Sequence, residues 1–371
     1  MHGATVLPLV LFAAWWPFGE PAVRDDDPTL GSLGDRSVAV DPERPVQADE
    51  ALARENYRAF LELATGDPLL RGEALRRLAD LELEADDASA PGPAAAGYDD
   101  AIALYTTLLA TYPDHPGNDR VLYQLARAYE TAGQAAAALA TLDRLVSGWP
   151  QTAHLAEAQF RRGEILFVDK RYAEAQAAYA AVVAQGEQAA FYEQSLYKLG
   201  WSQFKQGSHA ESLDAFFGVL DRKLVAADGA AIEPDNLERA ERELVDDTLR
   251  AVSIGCSYLD GSRSLDDWFR THDAPYAHVV YTGLGDLYVA KERYTDAAET
   301  YAAYAARDPW HAEAPLLQAK AVRAYGQGGF SELVIEGKQA FVERYGIDSP
   351  FWSRHAADGQ PEVRAALAAD L

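Results

Sequence analysis

Small and large apolar residues recur with a fixed spacing in the middle of the chain. Between residues 120 and 220, apolar positions follow one another at i, i+3, i+4 and i+7 in successive stretches, which is the period of amphipathic helices. Ala126, Gly163 and Gly200 take the same place in the first helix of three units, 37 residues apart in both intervals. A constant period of this length, with two helices in each unit, predicts a stacked helical repeat.

Each unit also has a small residue in its second helix, twelve positions after the first one, and a large residue four positions later. A further unit downstream, with Gly285 in its first helix, has the same order. The small residues of the second helices are Ala138, Ala175, Ser212 and Ala297, and the large ones are Leu142, Tyr179, Phe216 and Tyr301. Closely packed helices need a small side chain where their axes approach and a large one to fill the remaining space. We therefore expect structural roles at these positions and assign them no chemistry.

This order of small and large residues resembles that of the tetratricopeptide repeat. The resemblance is clearest in the unit that has Tyr281, Leu284, Gly285 and Tyr288 in its first helix and Pro309 after its second. It implies an all-α fold, a right-handed superhelix (α-solenoid) of about six to seven helix pairs.

Two stretches, residues 119–126 and 196–207, also resemble bacterial cell-envelope tetratricopeptide proteins. That group includes outer-membrane assembly lipoproteins and the periplasmic coordinator of the Tol–Pal system. The resemblance implies a non-catalytic scaffold in the cell envelope that binds a partner peptide or protein on its concave face. A cytoplasmic adaptor of the same fold is the alternative. The chain departs from the lipoproteins because no cysteine follows its apolar N-terminal stretch.

The pattern divides the chain into eight segments. They are an apolar signal-like segment (1–19), an acidic linker (20–49), a leading partial repeat and an interrupted unit (50–118), three core units (119–220), a loop insertion (221–236), a degenerate repeat (237–275), two further units (276–349), and a terminal helix or the start of another repeat (350–371). Within the interrupted unit, the extra loop is expected at residues 86–97. Asn118 and Asp119 are expected to cap the helix that follows.

The first residues of the chain are predicted to direct export. Residues 3–19 are apolar and uncharged, like the apolar part of an export signal. The run is shorter than the roughly 20 residues that span a bilayer, and Pro8 and Pro17 interrupt it. Because no Lys or Arg precedes the run and no clear cleavage site follows it, a misread start site and a tethered N-terminus are alternatives. Export would place the protein in the periplasm.

The first helices of the core units carry the candidate binding residues, at positions offset from the packing face. These are Tyr123 and Arg127 in the first unit, Phe160, Glu164 and Phe167 in the second, and Tyr197, Trp201 and Phe204 in the third. Most of them are aromatic, and contiguous exposed aromatic surface marks a partner site, since aromatic residues and Arg dominate binding hot spots. The alternative is that a tighter superhelix or the N-terminal segment covers these residues.

The net charge and the cysteine content limit the classes of partner and site that this protein can have. The formal net charge of −25 argues against nucleic acid and anionic membranes, because cationic contacts with phosphate supply most of the affinity for both. It is compatible with a basic partner and equally with a plain solvated surface. The single cysteine, Cys256, excludes an intrachain disulfide and a thiolate metal cluster, and its helical pattern predicts that it is buried.

Catalytic and cofactor motifs are absent from the sequence. No His-Glu-x-x-His pattern, nucleophile elbow, phosphate-binding loop or strand period is present. His272 and His278, six residues apart, are the one conceivable metal pair. We therefore expect no enzyme, no cofactor and no metal site, with an enzymatic or metal-binding protein on the repeat scaffold as the remote alternative. The oligomeric state and the identity of the partner do not follow from the sequence.

Overall fold

The computed structural model describes residues 49–63, 67–89, 98–346 and 348–355. The predictions for the signal-like segment, for nearly all of the acidic linker and for residues 356–371 lie outside these ranges.

The described residues form sixteen α-helices, one 3-10 helix and no strand. The α-helices are α1 (Glu50–Leu63), α2 (Pro68–Ser89), α3 (Asp99–Thr111), α4 (Asn118–Thr131), α5 (Ala135–Gly148), α6 (Leu155–Val168), α7 (Tyr172–Val183), α8 (Tyr192–Lys205), α9 (His209–Leu224), α10 (Arg239–Tyr258), α11 (Ser262–Thr271), α12 (Ala277–Ala290), α13 (Tyr294–Arg307), α14 (Ala314–Gln327), α15 (Ser331–Tyr345) and α16 (Pro350–Arg354). The 3-10 helix is Pro234–Asn236, and an isolated antiparallel bridge joins Val225 to Ala231.

Successive helices pack as pairs, and each pair packs on the next. The pairs run from α2 with α3 to α14 with α15, which makes seven, with α1 before them and α16 after them. The all-α solenoid predicted from the repeat pattern is confirmed, and the helix count is slightly higher than predicted because α1 and α16 flank the pairs. Cys256 of α10 is fully buried in the apolar core, as its helical pattern predicted.

The close approach within a pair depends on a missing side chain. A Cβ atom on Gly163 would lie 2.5 Å from the Tyr179 ring, and one on Gly285 would lie 2.2 Å from the Tyr301 ring. Both distances are far below van der Waals contact, so the ring of the second helix occupies the space that a side chain on the first helix would need. This contact sets the distance between the two helices of a unit.

In three units an acidic residue of the first helix accepts a hydrogen bond from a tyrosine of the second helix. The hydroxyl groups of Tyr105, Tyr179 and Tyr301 donate hydrogen bonds to Asp80, Glu164 and Asp286, and each acid directly follows the small residue that faces the ring. Units with Leu142 or Phe216 in place of tyrosine have Arg127 or Trp201 in place of the acid. The acid therefore occurs where a buried hydroxyl needs an acceptor. Burial, followed by this hydrogen bond, raises the pKa of Tyr179 and Tyr301.

Each of these acids also binds a cation from the next unit. The ion pairs are Arg120 with Asp80 at 3.5 Å, Lys198 with Glu164 at 3.1 Å and Lys320 with Asp286 at 3.1 Å. The acids therefore connect three helices: the first helix that carries them, the second helix that donates the hydroxyl, and the first helix of the following unit.

The turn inside each unit also follows the repeat. The residue seven positions after the small residue of the first helix has a positive φ in four units, at Gly133, Lys170, Gly207 and Glu292, and Gly329 has a positive φ in the turn between α14 and α15. Glycine adopts this left-handed conformation without steric cost, whereas Lys170 and Glu292 adopt it at some cost. The turns inside these units therefore share a left-handed residue, with φ between 56 and 82°.

Some boundaries differ from those expected. α2 continues to Ser89, so the extra loop of the interrupted unit does not begin at residue 86, and α9 continues to Leu224, into the predicted insertion. Three backbone carbonyl oxygens in residues 234–237 accept hydrogen bonds from Arg242, which fixes the end of this insertion to α10.

The expected cap of α4 is wrong. Gly117 is the N-cap residue, and no side-chain hydrogen bond caps the helix. Asn118 instead donates hydrogen bonds to the carbonyl oxygens of Tyr112 and Pro113, at 2.9 and 2.8 Å. Its side chain therefore ties the preceding loop to the helix, a role that depends on the path of that loop.

We predict that Gly285→Ala destabilises the protein. The added methyl group must displace the Tyr301 ring, and overpacking of this kind costs about 1–3 kcal/mol, against a gain of about 1 kcal/mol in helix propensity. The midpoint of urea unfolding, followed by circular dichroism, should decrease. Gly148→Ala is the matched control, because no atom lies within 4 Å of its new Cβ, and its midpoint should stay the same or increase. Equal midpoints for the two variants would contradict this account of the packing.

Candidate functional site

The predicted binding residues lie on the wall formed by α4, α6 and α8, the first helices of the core units. This face is called the wall below. Tyr123 is buried, with 8% of its surface exposed, and the other seven residues are half-buried. The aromatic residues are thus partly covered by side chains of the same chain and do not form a fully exposed surface.

At the α4 end of the wall, the polar and aromatic side chains mostly contact one another. The Tyr123 ring stacks on His154, with centroids 4.3 Å apart. Burial and a hydrogen bond to Glu157 raise the pKa of Tyr123. Arg161 of α6 pairs with both Glu157 and Glu130, each at 2.7 Å, and Arg127 donates a hydrogen bond to Gln124. Tyr123 therefore contributes to the contact between α4 and α6, whereas the hydrogen bond from Arg127 to Gln124 lies within α4.

A pocket of about 410 Å³ lies between α4, α6 and the start of α8. Its lining residues are Glu130, Thr131, Phe160, Arg161, Glu164 and Phe191. The rings of Phe160 and Phe191 are stacked, with centroids 4.7 Å apart and planes inclined by 10°. Phe191 has a φ of 62°, a conformation that bulky residues rarely adopt. The pocket thus has two parallel aromatic rings beside two carboxylates.

Glu164 and Phe167 lie next to this pocket and are joined by Lys198. Glu164 accepts hydrogen bonds from the Tyr179 hydroxyl and from Lys198, and Lys198 Nζ lies 5.2 Å from the centroid of Phe167. Phe167 also meets the ring of Tyr172 edge to face. Glu164 is therefore a structural anchor as well as a surface carboxylate, a role that the sequence analysis did not identify.

The structure brings Tyr197, Trp201 and Phe204 together in a single cluster on α8. Trp201 contacts both of the other rings edge to face, with centroids 6.3 and 5.4 Å away. The Tyr197 hydroxyl donates a hydrogen bond to Asp247 of α10, and burial together with this bond raises the pKa of Tyr197 to about 12.

Two residues outside the first helices of the core units extend this cluster. Phe204 contacts His209, and His209 stacks on Tyr258, whose side chain is 66% exposed. Neither His209 nor Tyr258 was predicted, and neither was Phe191. Each comes from a different helix or helix start, so the offset pattern within a first helix could not identify them.

His272 and His278, the possible metal pair, contact different residues. His272 stacks on Trp268, whereas His278 lies 3.3 Å from Glu233 and 4.8 Å, between ring centroids, from His311. Within the described ranges there is no group of three or more His, Cys, Asp or Glu side chains that could hold a metal ion. No described helix is both long enough and apolar enough to cross a membrane.

Comparison with known protein families identifies the repeats. Two family models, both described as tetratricopeptide repeat, match residues 94–159 and residues 194–216. The chain therefore carries tetratricopeptide repeats, as its resemblance implied. The finer resemblance to cell-envelope members remains a prediction.

Solved structures of tetratricopeptide-repeat proteins are similar at low identity. A protein from Parabacteroides merdae is 14% identical, with 80% of this chain and 93% of that chain covered and a TM-score of 0.38. The C-terminal part of a protein from Cytophaga hutchinsonii is 14% identical, with 71% and 93% covered and a TM-score of 0.37. YrrB, described as having an unusual peptide-binding site, is 16% identical, with 57% and 95% covered and a TM-score of 0.33. A search of curated proteins found no match.

We predict that the hydrogen bond between Tyr197 and Asp247 stabilises the junction of α8 and α10. A double-mutant cycle of Tyr197→Phe and Asp247→Ala should give a coupling energy of about 1–2 kcal/mol, since the acceptor is charged and the donor is half-buried. Urea unfolding of the four proteins measures it. Tyr258→Phe, on an exposed ring, should change stability by less than about 0.5 kcal/mol. A coupling energy near zero would mean that this contact does not hold the two helices together.

Proposed function

We propose that this protein is a non-catalytic scaffold that binds a segment of another protein on the wall. The observation that carries the proposal is the pocket between consecutive units, which the stacked and half-buried rings of Phe160 and Phe191 line. Tetratricopeptide-repeat proteins bind protein or peptide partners, and partly exposed aromatic residues on a rigid scaffold are typical of binding hot spots.

The order of the aromatic positions along the wall favours an extended segment as the partner. The aromatic positions of α6 and α8 follow one another along the stack of units, and the ion pairs that join the units hold the first helices in place. A partner that lies across these helices would contact the pocket first and the Trp201 cluster next. Because the scaffold is preorganised, little binding energy is lost in ordering the wall.

We further propose that the protein works in the bacterial cell envelope. Two observations support this location: the apolar, uncharged run of residues 3–19 and the resemblance of residues 119–126 and 196–207 to envelope proteins. A cytoplasmic adaptor is the alternative. It would use the same wall with a different set of partners.

We predict that Trp201→Ala and Phe167→Ala abolish capture of the partner while the fold is retained. Both side chains are half-buried on the wall and pack against the edge of the core, so their removal deletes contact area without removing a fully buried side chain. Tagged wild-type and variant proteins should be isolated from the native host, and the co-purified proteins should be quantified by mass spectrometry. Phe330→Ala is the matched control, because its ring is 41% exposed and lies away from the wall, at the start of α15. Unchanged capture by the two wall variants would remove the wall from the proposal.

We predict that the full-length chain, tagged at its C-terminus, fractionates with periplasmic markers. Deletion of residues 3–19 should then retain the protein in the cytoplasm, because the apolar run would be the export signal. Immunoblots of osmotic-shock and spheroplast fractions measure the distribution. A cytoplasmic distribution of the undeleted protein would favour the adaptor alternative and would leave the binding proposal unaffected.

A further inference from the structure

Glu164 lies between two aromatic residues of its own helix. Phe160 precedes it by one turn and Phe167 follows it by one turn, so both rings flank the carboxylate on the wall. On the Phe167 side the space is filled by Lys198, which pairs with Glu164 at 3.1 Å and lies 5.2 Å from the ring centroid. On the Phe160 side lies the open pocket, which Phe191 also lines.

The contacts of Lys198 on the Phe167 side show which kind of side chain the wall can bind. The ammonium group of Lys198 lies over the Phe167 ring and also donates a hydrogen bond to the Glu164 carboxylate, an arrangement that favours cationic side chains. The open side offers similar elements: the exposed parts of the stacked rings of Phe160 and Phe191 and the carboxylates of Glu130 and Glu164.

The carboxylates have capacity for another donor. An ionised carboxylate offers about four acceptor positions, and Tyr179 and Lys198 use two of those on Glu164, whose side chain is 37% exposed. Arg161 is the single cation among the described residues of the pocket, and it already pairs with Glu130 and Glu157. An acidic side chain would therefore meet carboxylates without an available cation, which is unfavourable.

The charge of the whole chain acts in the same direction. With a formal net charge of −25, the protein attracts basic segments over long distances and repels acidic ones. Local contacts at the pocket and the long-range field thus select the same class of side chain.

We infer that the pocket lined by Phe160, Phe191, Glu130 and Glu164 binds a lysine or arginine side chain of the partner segment. This inference rests on the proposed function, because it names the residue class by which the wall recognises its partner. The stem of the partner residue lies against the two phenyl rings, and its charged end meets the carboxylates at the rim.

The test uses a random dodecapeptide library displayed on phage and selected on the full-length wild-type protein. Selected peptides should share a position at which Lys or Arg predominates. A fluorescent copy of one such peptide, measured by anisotropy, should bind about tenfold more weakly when norleucine replaces that basic residue. Its affinity should also fall as NaCl rises from 0.05 to 0.5 M, because salt screens the ion pair.

Protein variants locate the binding site. Phe160→Ala and Phe160→Leu should each weaken binding of the peptide about tenfold, the second without leaving a cavity. Glu164→Gln should do the same while it still accepts the Tyr179 hydrogen bond. Asp286→Asn is the matched control, because it removes the charge from the equivalent contact with Tyr301 and Lys320 in another unit, and it should leave the affinity unchanged.

The results separate this inference from the proposed function. If the selected peptides share no basic position, or if the Phe160 and Glu164 variants bind the peptide as tightly as the wild type, the inference is wrong and the scaffold proposal stands. If no peptide is selected on the wild-type protein, both are overturned. Thermal unfolding of each variant, followed by circular dichroism, shows that a lost affinity reflects the pocket and not a lost fold.

Discussion

The structure depends on the contact between a large side chain of one helix, in most units an aromatic ring, and the small residue of its partner helix. At Gly163 and Gly285 the ring fills the place of the missing Cβ, so no other side chain is compatible with the observed distance between the helices. The contact recurs between Gly200 and Phe216, and where units repeat it the position of each first helix follows from that of the unit before it. The wall is built from these first helices and has its geometry for this reason.

The chemistry of the wall follows from the same contact. A tyrosine that enters the space between two helices carries a hydroxyl into a region with little water, and the adjacent acid on the first helix accepts its hydrogen bond. The acid then needs a positive charge, which the next unit supplies through Arg120, Lys198 or Lys320. Glu164 illustrates the outcome: one carboxylate stabilises the stack and forms part of the pocket.

The aromatic character of the wall is local for a related reason. In the units with Leu142 and Phe216, no hydroxyl requires an acceptor, and Arg127 and Trp201 occupy the place of the acid. Trp201 stands in the place of the acid and belongs to the aromatic cluster on α8. The neighbouring unit keeps the acid, Glu164, beside the rings of Phe160 and Phe191. Adjacent units thus present different side chains on a common backbone, which is how a repeat scaffold acquires a specific binding surface.

The sequence by itself determined the repeat, its period and the residues of each helix that face the wall, because these depend on residue size and on the helical period within one unit. It also contained the pairing of tyrosine with acid, which a comparison of the units would have revealed. Only the tertiary structure decided how far the wall residues are covered: His154 stacks on Tyr123, Phe191 on Phe160, and Tyr258 extends the cluster of Phe204. These partners come from loops and helices whose positions depend on the stacking of units, and no local pattern encodes a contact between residues that only the fold brings together.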